Sequence, residues 1–494
     1  MIKVTDFSFR YHGKNRSALE HISLTIPKGE MLVIAGPSGC GKSTLALALS
    51  GFLFQQDYGE YLGSLNYYDE DISKIPLFDM ADNISLVQQN PEDQFCTLTV
   101  MDELAFGLEN RCMEENEIVE RIHWAMGVVQ ASDLLDRDLA TLSGGEKQKI
   151  VIASMLAGRP EVLILDEPTS NLDPQSTANL FEVVNNLRQV SGLSIIIIEH
   201  KLKQLIPYSP RMIRMDQGKV IENTYLTPST AEITPPIKQP IEGLQQSNLE
   251  EVVNLKGVTV SYDQRSVLQD INLSISTGEF ISLMGANGSG KTTFLLCLTG
   301  LLPIEQGSIT LLGMDIKDSS VQDNARSLGF VFQNPDHQLF TDSVWKEAIL
   351  APENFKIPSS QFETETMQLL KDFELKSHLD IHPNKLSFGE KRRLNLTSIL
   401  SYRPKVILLD EILIGQDVAN AVILLDILKQ FSLNGGVVIL ANHQPELVNR
   451  YATRTIFLKN GQIALDRDQL QAETGLFEIN EPYFLPYQTV ESAQ

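Results

Sequence analysis

Short apolar runs with no polar alternation mark this chain at matching places in its two halves. MLVIAGP (31–37), VLILDE (162–167) and SIIIIEH (194–200) stand in the first half, and FISLMGA (280–286), VILLDE (406–411) and GVVILANH (436–443) in the second. Brief unalternating runs are the pattern of strands buried on both faces, as parallel strands are. A glycine-rich loop leads from MLVIAGP into LALALSGF (45–52), and another from FISLMGA into FLLCLTGL (294–301). Both following stretches favour helix, so the pattern predicts an α/β fold, a mostly parallel sheet covered by helices.

The motifs repeat in order. GPSGCGKST (36–44) returns as GANGSGKTT (285–293), 249 residues on. QNPEDQ (89–94) returns as QNPDHQ (333–338), LSGGEK (142–147) as LSFGEK (386–391), and LILDE (163–167) as ILLDE (407–411), each 244 residues on. One order of motifs met twice predicts a duplicated domain. The expected boundaries are a first domain at 1–225, a linker at 226–250 and a second domain at 251–480, with a polar tail at 481–494. Pro228, Pro235, Pro236 and Pro240 stand among polar residues in the linker.

Charge narrows the function classes. Forty Lys and Arg against 63 Asp and Glu give a formal charge of −23. That balance argues against a surface for nucleic-acid phosphates, so no nucleic acid is expected as a partner, and against a polybasic membrane anchor. No apolar run reaches the roughly 18 residues of a membrane helix, and Met1–Arg10 has no apolar core of a signal peptide. No direct membrane span is expected. Cys40, Cys96, Cys112 and Cys297 have no metal-ligand spacing and fit a reducing compartment.

The pattern G-x-x-x-x-G-K-[ST] appears at Gly36, Pro37, Ser38, Gly39, Cys40, Gly41, Lys42, Ser43 and Thr44, and again at Gly285, Ala286, Asn287, Gly288, Ser289, Gly290, Lys291, Thr292 and Thr293. Its glycines let backbone N–H groups wrap phosphates at a helix N-terminus. Lys42 and Lys291 would reach the β and γ phosphates of a nucleotide, and Ser43 and Thr292 would ligate Mg²⁺. Downstream, Asp166-Glu167 and Asp410-Glu411 each end an apolar strand. Adjacent carboxylates repel, but near Mg²⁺ the Asp can hold the metal shell and the Glu can polarise a water. Ser143 with Glu146, and Ser387 with Glu390, have the S-x-x-E spacing of a helix capping box.

Taken together, these motifs resemble the ATP-binding subunits of ABC transporters. The resemblance implies two nucleotide-binding domains, each with a helical subdomain carrying the LSGGE-type signature, stacked head to tail with ATP between the phosphate loop of one copy and the signature of the other. It implies a first site of Lys42, Ser43, Gln89, Asp166, Glu167 and His200 facing Ser387 and Gly389. The second would join Lys291, Thr292, Gln333, Asp410, Glu411 and His443 to Ser143, Gly144 and Gly145. Gln89 and Gln333 would sense Mg²⁺ and the γ-phosphate, and Tyr11 and Tyr262 would stack on adenine.

Two departures fall on the second copy. DEPTSNLD (166–173) becomes DEILIGQD (410–417), and Phe388 replaces a signature glycine. With both lysines, both glutamates and both histidines kept, two competent but unequal sites are expected.

QNPEDQFCTLTVMDELAFGLEN (89–110) and QNPDHQLFTDSVWKEAILAPEN (333–354) are similar to the corresponding segment of energy-coupling-factor importers of vitamins and transition-metal ions. Fused tandem ATPases in that group serve thiamine and its hydroxymethylpyrimidine precursor. The implied partners are an integral-membrane scaffold subunit and a small membrane substrate-binding subunit, with this chain on the cytoplasmic face of the membrane. Glu92, Asp93, Glu103, Asp336 and Glu347 are expected to receive arginines of the scaffold. Tandem ATPases of sugar importers and ribosome-acting tandem ATPases are the alternatives. Two intact phosphate loops weigh against the first, and the short proline-rich linker and acidic charge against the second.

Overall fold

The computed structural model describes the chain except residues 15, 56–57, 171, 201, 232–249, 263–264, 443–444, 480, 482–483 and 485–494. It divides into two compact units, Met1–Ile233 and Thr234–Gln494. Most of the expected linker and all of the expected tail but Glu481 and Phe484 lie outside the described residues.

Every apolar run noted above forms a strand, and all six are wholly buried. In the first unit the sheet order is Lys219–Tyr225, Arg211–Asp216, Met31–Ala35, Ser194–Ile198, Val162–Asp166, Ile84–Val87. All neighbours are parallel except the outer Lys219–Tyr225 pair. The second unit repeats this with Gln462–Asp468, Arg454–Lys459, Phe280–Met284, Val437–Ala441, Val406–Asp410 and Leu328–Val331.

Burial on both faces is the reason the runs do not alternate. Met31, Val33 and Ala35 enter one core with Leu163 and Leu165, while Leu32 and Ile34 enter another with Val162 and Ile164. The first core is closed by helices Val100–Glu109, Glu115–Val128, Gly144–Ala157 and Pro174–Ser191. The second is closed by helix Lys42–Leu49 and an antiparallel sheet of Leu19–Ile26, Ile2–Tyr11, Gly59–Tyr67 and Glu70–Asp71. The expected polar tail has an apolar anchor: Phe484 is buried against Phe457, ring centroids 4.9 Å apart.

The Q-N-P-x-x-Q segments build a specific loop. Asn90 Oδ1 accepts the Glu92 N–H (3.3 Å) and Asn334 Oδ1 the Asp336 N–H (3.0 Å), each capping a one-turn helix with Pro at its start. The last glutamine then staples the turn to the preceding strand. Gln94 accepts from the Gln88 N–H and donates to Leu86 O, and Gln338 accepts from the Phe332 N–H and donates to Phe330 O.

Glu103 and Glu347 close the same loop from the inside. Glu103 Oε2 accepts from the N–H groups of Cys96 and Thr97 and from the Thr97 hydroxyl; Glu347 Oε2 accepts from Phe340, Thr341 and the Thr341 hydroxyl. At 8% and 2% exposure they do not offer themselves to a partner's arginines, contrary to expectation. Glu92 pairs with Lys147 and Asp336 with Lys391 (2.6 Å), tying the loop to the next helix. The loop presents Leu98 and Phe340 instead, 83% and 75% exposed.

Glu103→Ala strips two amides and a hydroxyl of their charged acceptor and should cost about 3 kcal/mol. Glu92→Ala breaks a half-exposed ion pair and should cost under about 1 kcal/mol. Denaturant unfolding of the full chain reads both; equal costs would mean that Glu103 does not hold the loop.

Candidate nucleotide-binding and hydrolysis sites

Parallel strands deliver their C-terminal ends to one edge, where loops of α/β sheets bind ligands. In the first unit that edge receives the phosphate loop after Ala35, Gln89 after Val87, Asp166 and Glu167, and His200 after Ile198. The phosphate loop turns at Gly36 (φ 149), where a Cβ would collide with the Met215 carbonyl of the adjacent strand. Gly285 is caught in the same way against Leu458. Lys42 Nζ lies inside the loop and donates to Gly36 O and Pro37 O, both at 2.9 Å; Lys291 Nζ donates to Gly285 O (2.9 Å) and Ala286 O (3.1 Å). Each ammonium thus sits beside the amide-lined N-terminus of its helix, a concentrated site for phosphate.

The strand-ending aspartates are buried. Burial, foremost, raises the Asp166 carboxyl to about 6, with Glu167 adding to the rise and Ser43 opposing it. Asp410 is likewise raised to about 6 by burial and then Glu411, although the Thr292 hydroxyl donates to its Oδ2 at 2.8 Å. The Oδ1 atoms of both have no hydrogen-bond partner among the described residues. A hydroxyl beside a buried carboxylate with a spare oxygen fits Mg²⁺, which takes few protein ligands and keeps water and phosphate oxygens.

Glu167 (φ 48) and Glu411 (φ 52) both adopt left-handed backbone, uncommon for a residue with a side chain. Their N–H groups donate to Ile198 O and Ala441 O. Gln89 Nε2 donates to Glu167 Oε2 at 2.6 Å, and Gln333 Nε2 to Glu411 Oε2 at 2.8 Å. His200 Nε2 lies 3.0 Å from Glu167 Oε1. The structure therefore gathers glutamine, glutamate and histidine in the first unit, and glutamine and glutamate in the second; His443 lies outside the described residues.

The capping boxes are present. Ser143 and Ser387 open the helices Gly144–Ala157 and Phe388–Leu400, and each hydroxyl donates to its Glu146 or Glu390 partner at 2.7 Å. Gly144, Gly145 and Gly389 lie in the first turns. Tyr11 O–H lies 3.1 Å from Thr44 Oγ1 at the end of the phosphate loop, while Tyr262 is exposed at its strand end.

Sequence reading missed the ground beneath the second signature. Arg392, 2% exposed, stacks on the Phe388 ring with 4.6 Å from Cζ to centroid. One terminal nitrogen donates to the Glu411 carbonyl, and the other donates to Gln333 O at 2.7 Å. Burial lowers this guanidinium to about 10, with Glu411 and Asp410 holding it up. Gln416 donates to Gly389 O (2.9 Å) and accepts from Arg393 (3.1 Å). The only hint in sequence is that KRR follows LSFGE where KQK follows LSGGE.

The raised aspartates set a pH dependence. A carboxyl of about 6 when folded, against an ordinary 3.8, binds protons better in the folded state. It therefore destabilises the metal-free chain fully above pH 6 and not at all below the unfolded value. Asp410→Asn keeps an acceptor for Thr292 and should raise the melting temperature at pH 8 without Mg²⁺, the gain vanishing by about pH 4. A lower melting temperature at pH 8 would show that the charge is not a burden.

The family profile described as ABC transporter matches residues 19–170 and 268–413. A Methanosarcina mazei protein provisionally named an ABC transporter ATP-binding protein is 33% identical, covering 94% of this chain and 88% of the relative. Bacillus subtilis YkoD, provisionally named an HMP/thiamine import ATP-binding protein, is 31% identical over 97% of this chain and 94% of its own. The archaeal ribosome recycling factor aABCE1, solved with stalk protein aP1, shares the fold at TM-score 0.66 and 20% identity, over 96% of this chain and 92% of that one. With both copies matched and the phosphate loops and strand-end carboxylates in place, the chain belongs to the ABC transporter ATP-binding family and is an ATPase coupled to transport.

Proposed function

We propose that this chain energises an importer of the energy-coupling-factor type, carrying a vitamin or vitamin precursor such as thiamine or its hydroxymethylpyrimidine moiety. Its partners are an integral-membrane scaffold and a small membrane substrate-binding subunit, and it works on the cytoplasmic face of the membrane. The observation that carries this reading is the Q-N-P-x-x-Q loop, assembled alike in both units and ending in exposed Leu98 and Phe340. Similarity to YkoD along nearly the whole chain supports the cargo class. Among the described residues no helix is long and apolar enough to cross a membrane, so the path for cargo belongs to other subunits.

In this reading Lys42 and Lys291 hold ATP phosphates, and Ser43 with Asp166 and Thr292 with Asp410 hold Mg²⁺, which screens phosphate charge. Glu167 and Glu411 each take the proton from an attacking water, oriented by Gln89 with His200 and by Gln333 with His443. Ser387 and Gly389, and Ser143, Gly144 and Gly145, bind nucleotide phosphate at the starts of their signature helices. Tyr11 and Tyr262 hold the adenine.

Glu167→Gln and Glu411→Gln should each lower ATP turnover, unequally, and together reduce it by about a hundredfold or more. Turnover that survives the double change would remove both glutamates as bases. For the transport reading, the tagged chain is pulled down from native membranes in detergent. A multi-span scaffold with a small membrane protein is the expected companion set, lost when Leu98 and Phe340 are both changed to Asp. Ribosomal proteins, or a sugar-type permease, would overturn the subfamily.

A further inference from the structure

Four positions at which the second copy departs from the first fall on one connected cluster. Phe388, Arg392, Arg393 and Gln416 stand where the first copy has Gly144, Gln148, Lys149 and Leu172. In the first unit Gln148 is 1% exposed, and neither of its amide atoms has a hydrogen-bond partner among the described residues. It borders a cavity of about 40 Å³ lined also by Lys149 and Leu172. At the position equivalent to Gln148 the second unit has Arg392, whose guanidinium makes two directed bonds, while Arg393 bonds Phe373 O and Gln416 on the side equivalent to the cavity.

Those bonds have a geometric consequence. A guanidinium is planar, so bonding Glu411 O with one terminal nitrogen and Gln333 O with the other fixes two peptide groups relative to each other. They are the peptide groups of the glutamate and the glutamine whose side chains meet at 2.8 Å. Glu411 also holds a left-handed backbone, which persists only where its surroundings over-determine it. Its N–H is held by Ala441 O and its carbonyl by Arg392. The free face of the guanidinium is covered by Phe388, itself 39% exposed at the start of the signature helix.

We propose that Arg392 is a positioning residue of the second hydrolytic site and that Phe388 is its prop, so that contact made at the second signature is transmitted to Gln333 and Glu411 of the same unit. This rests on the reading above, in which Glu411 and Gln333 act on water and phosphate. Phe388 and Arg392 thus join the start of the second signature helix to the peptide groups of Glu411 and Gln333. In the first unit Gln148 makes no such link among the described residues.

The test uses the full chain with Glu167→Gln, so that the turnover measured comes from the second site. Arg392→Gln, which installs the residue the first copy carries there, should lower kcat by about tenfold while KM for ATP stays within about twofold. Arg392→Lys keeps the charge but not the fork and should rescue little. Phe388→Gly should lower kcat by about threefold when Arg392 is present and add nothing after Arg392→Gln, with KM for ATP and the melting temperature both held, a split that a merely structural role would not give. An unchanged kcat in Arg392→Gln, full rescue by Lys, or a Phe388→Gly effect independent of Arg392 would overturn the proposal. Adding Glu411→Gln to the parent chain should abolish the remaining turnover. Turnover that persists would remove the base assignment itself, and the proposal with it, an outcome distinct from failure of the arginine link alone.

Discussion

Asp166 and Asp410 are carboxylates placed where water is scarce, and each keeps one oxygen that no described side chain satisfies. Burying such a group costs free energy unless a cation or donors offset it. Ser43 and Thr292 offset part of that cost, and the lysines beside them reach inward to loop carbonyls. Each edge therefore sets a buried carboxylate directly beside the donors for an anion, the charge arrangement that a nucleotide phosphate with its counter-ion complements.

Much of this was legible because its causes are local. Parallel strands must be apolar on both faces, so they read as unbroken runs, and a phosphate loop needs glycines where the backbone brushes Met215 and Leu458. The capping boxes were readable from spacing alone. Burial of an individual acid was not. Glu103 and Glu347 look like surface charges in an acidic chain, yet the loops at Cys96–Thr97 and Phe340–Thr341 fold back over them. Nothing in their spacing distinguishes a helix residue facing its own loop from one facing solvent. Arg392 was opaque for a related reason: its partners are carbonyls 59 and 19 residues away, and a carbonyl has no sequence signature.

The same difficulty affects how a departure from a motif is read. From sequence, Phe388 and the loss of Pro-Thr-Ser after Asp410-Glu411 read as two separate departures that make the sites unequal. In the fold they belong to one exchange. Gln416, from the altered segment, holds the signature Gly389 carbonyl and Arg393, while Phe388 covers Arg392. The first copy fills the equivalent space with Leu172, part of its apolar core, and a glutamine left without hydrogen-bond partners among the described residues.

Two buried guanidiniums are expensive to maintain, and a chain drifting out of use would not be expected to satisfy both with directed bonds. An apolar Leu at 416 would leave Arg393 short of an acceptor, and a glycine at 388 would open the face of Arg392. The four positions are therefore physically coupled, each side chain depending on the others for a partner or a cover. Asymmetry between the copies is then better described as a second way of bracing the same catalytic edge. In the first copy Gln89 and His200 both meet the Glu167 carboxylate. In the second Gln333 meets the Glu411 carboxylate in the same way, and an arginine holds the Glu411 peptide group as well, its guanidinium face covered by Phe388.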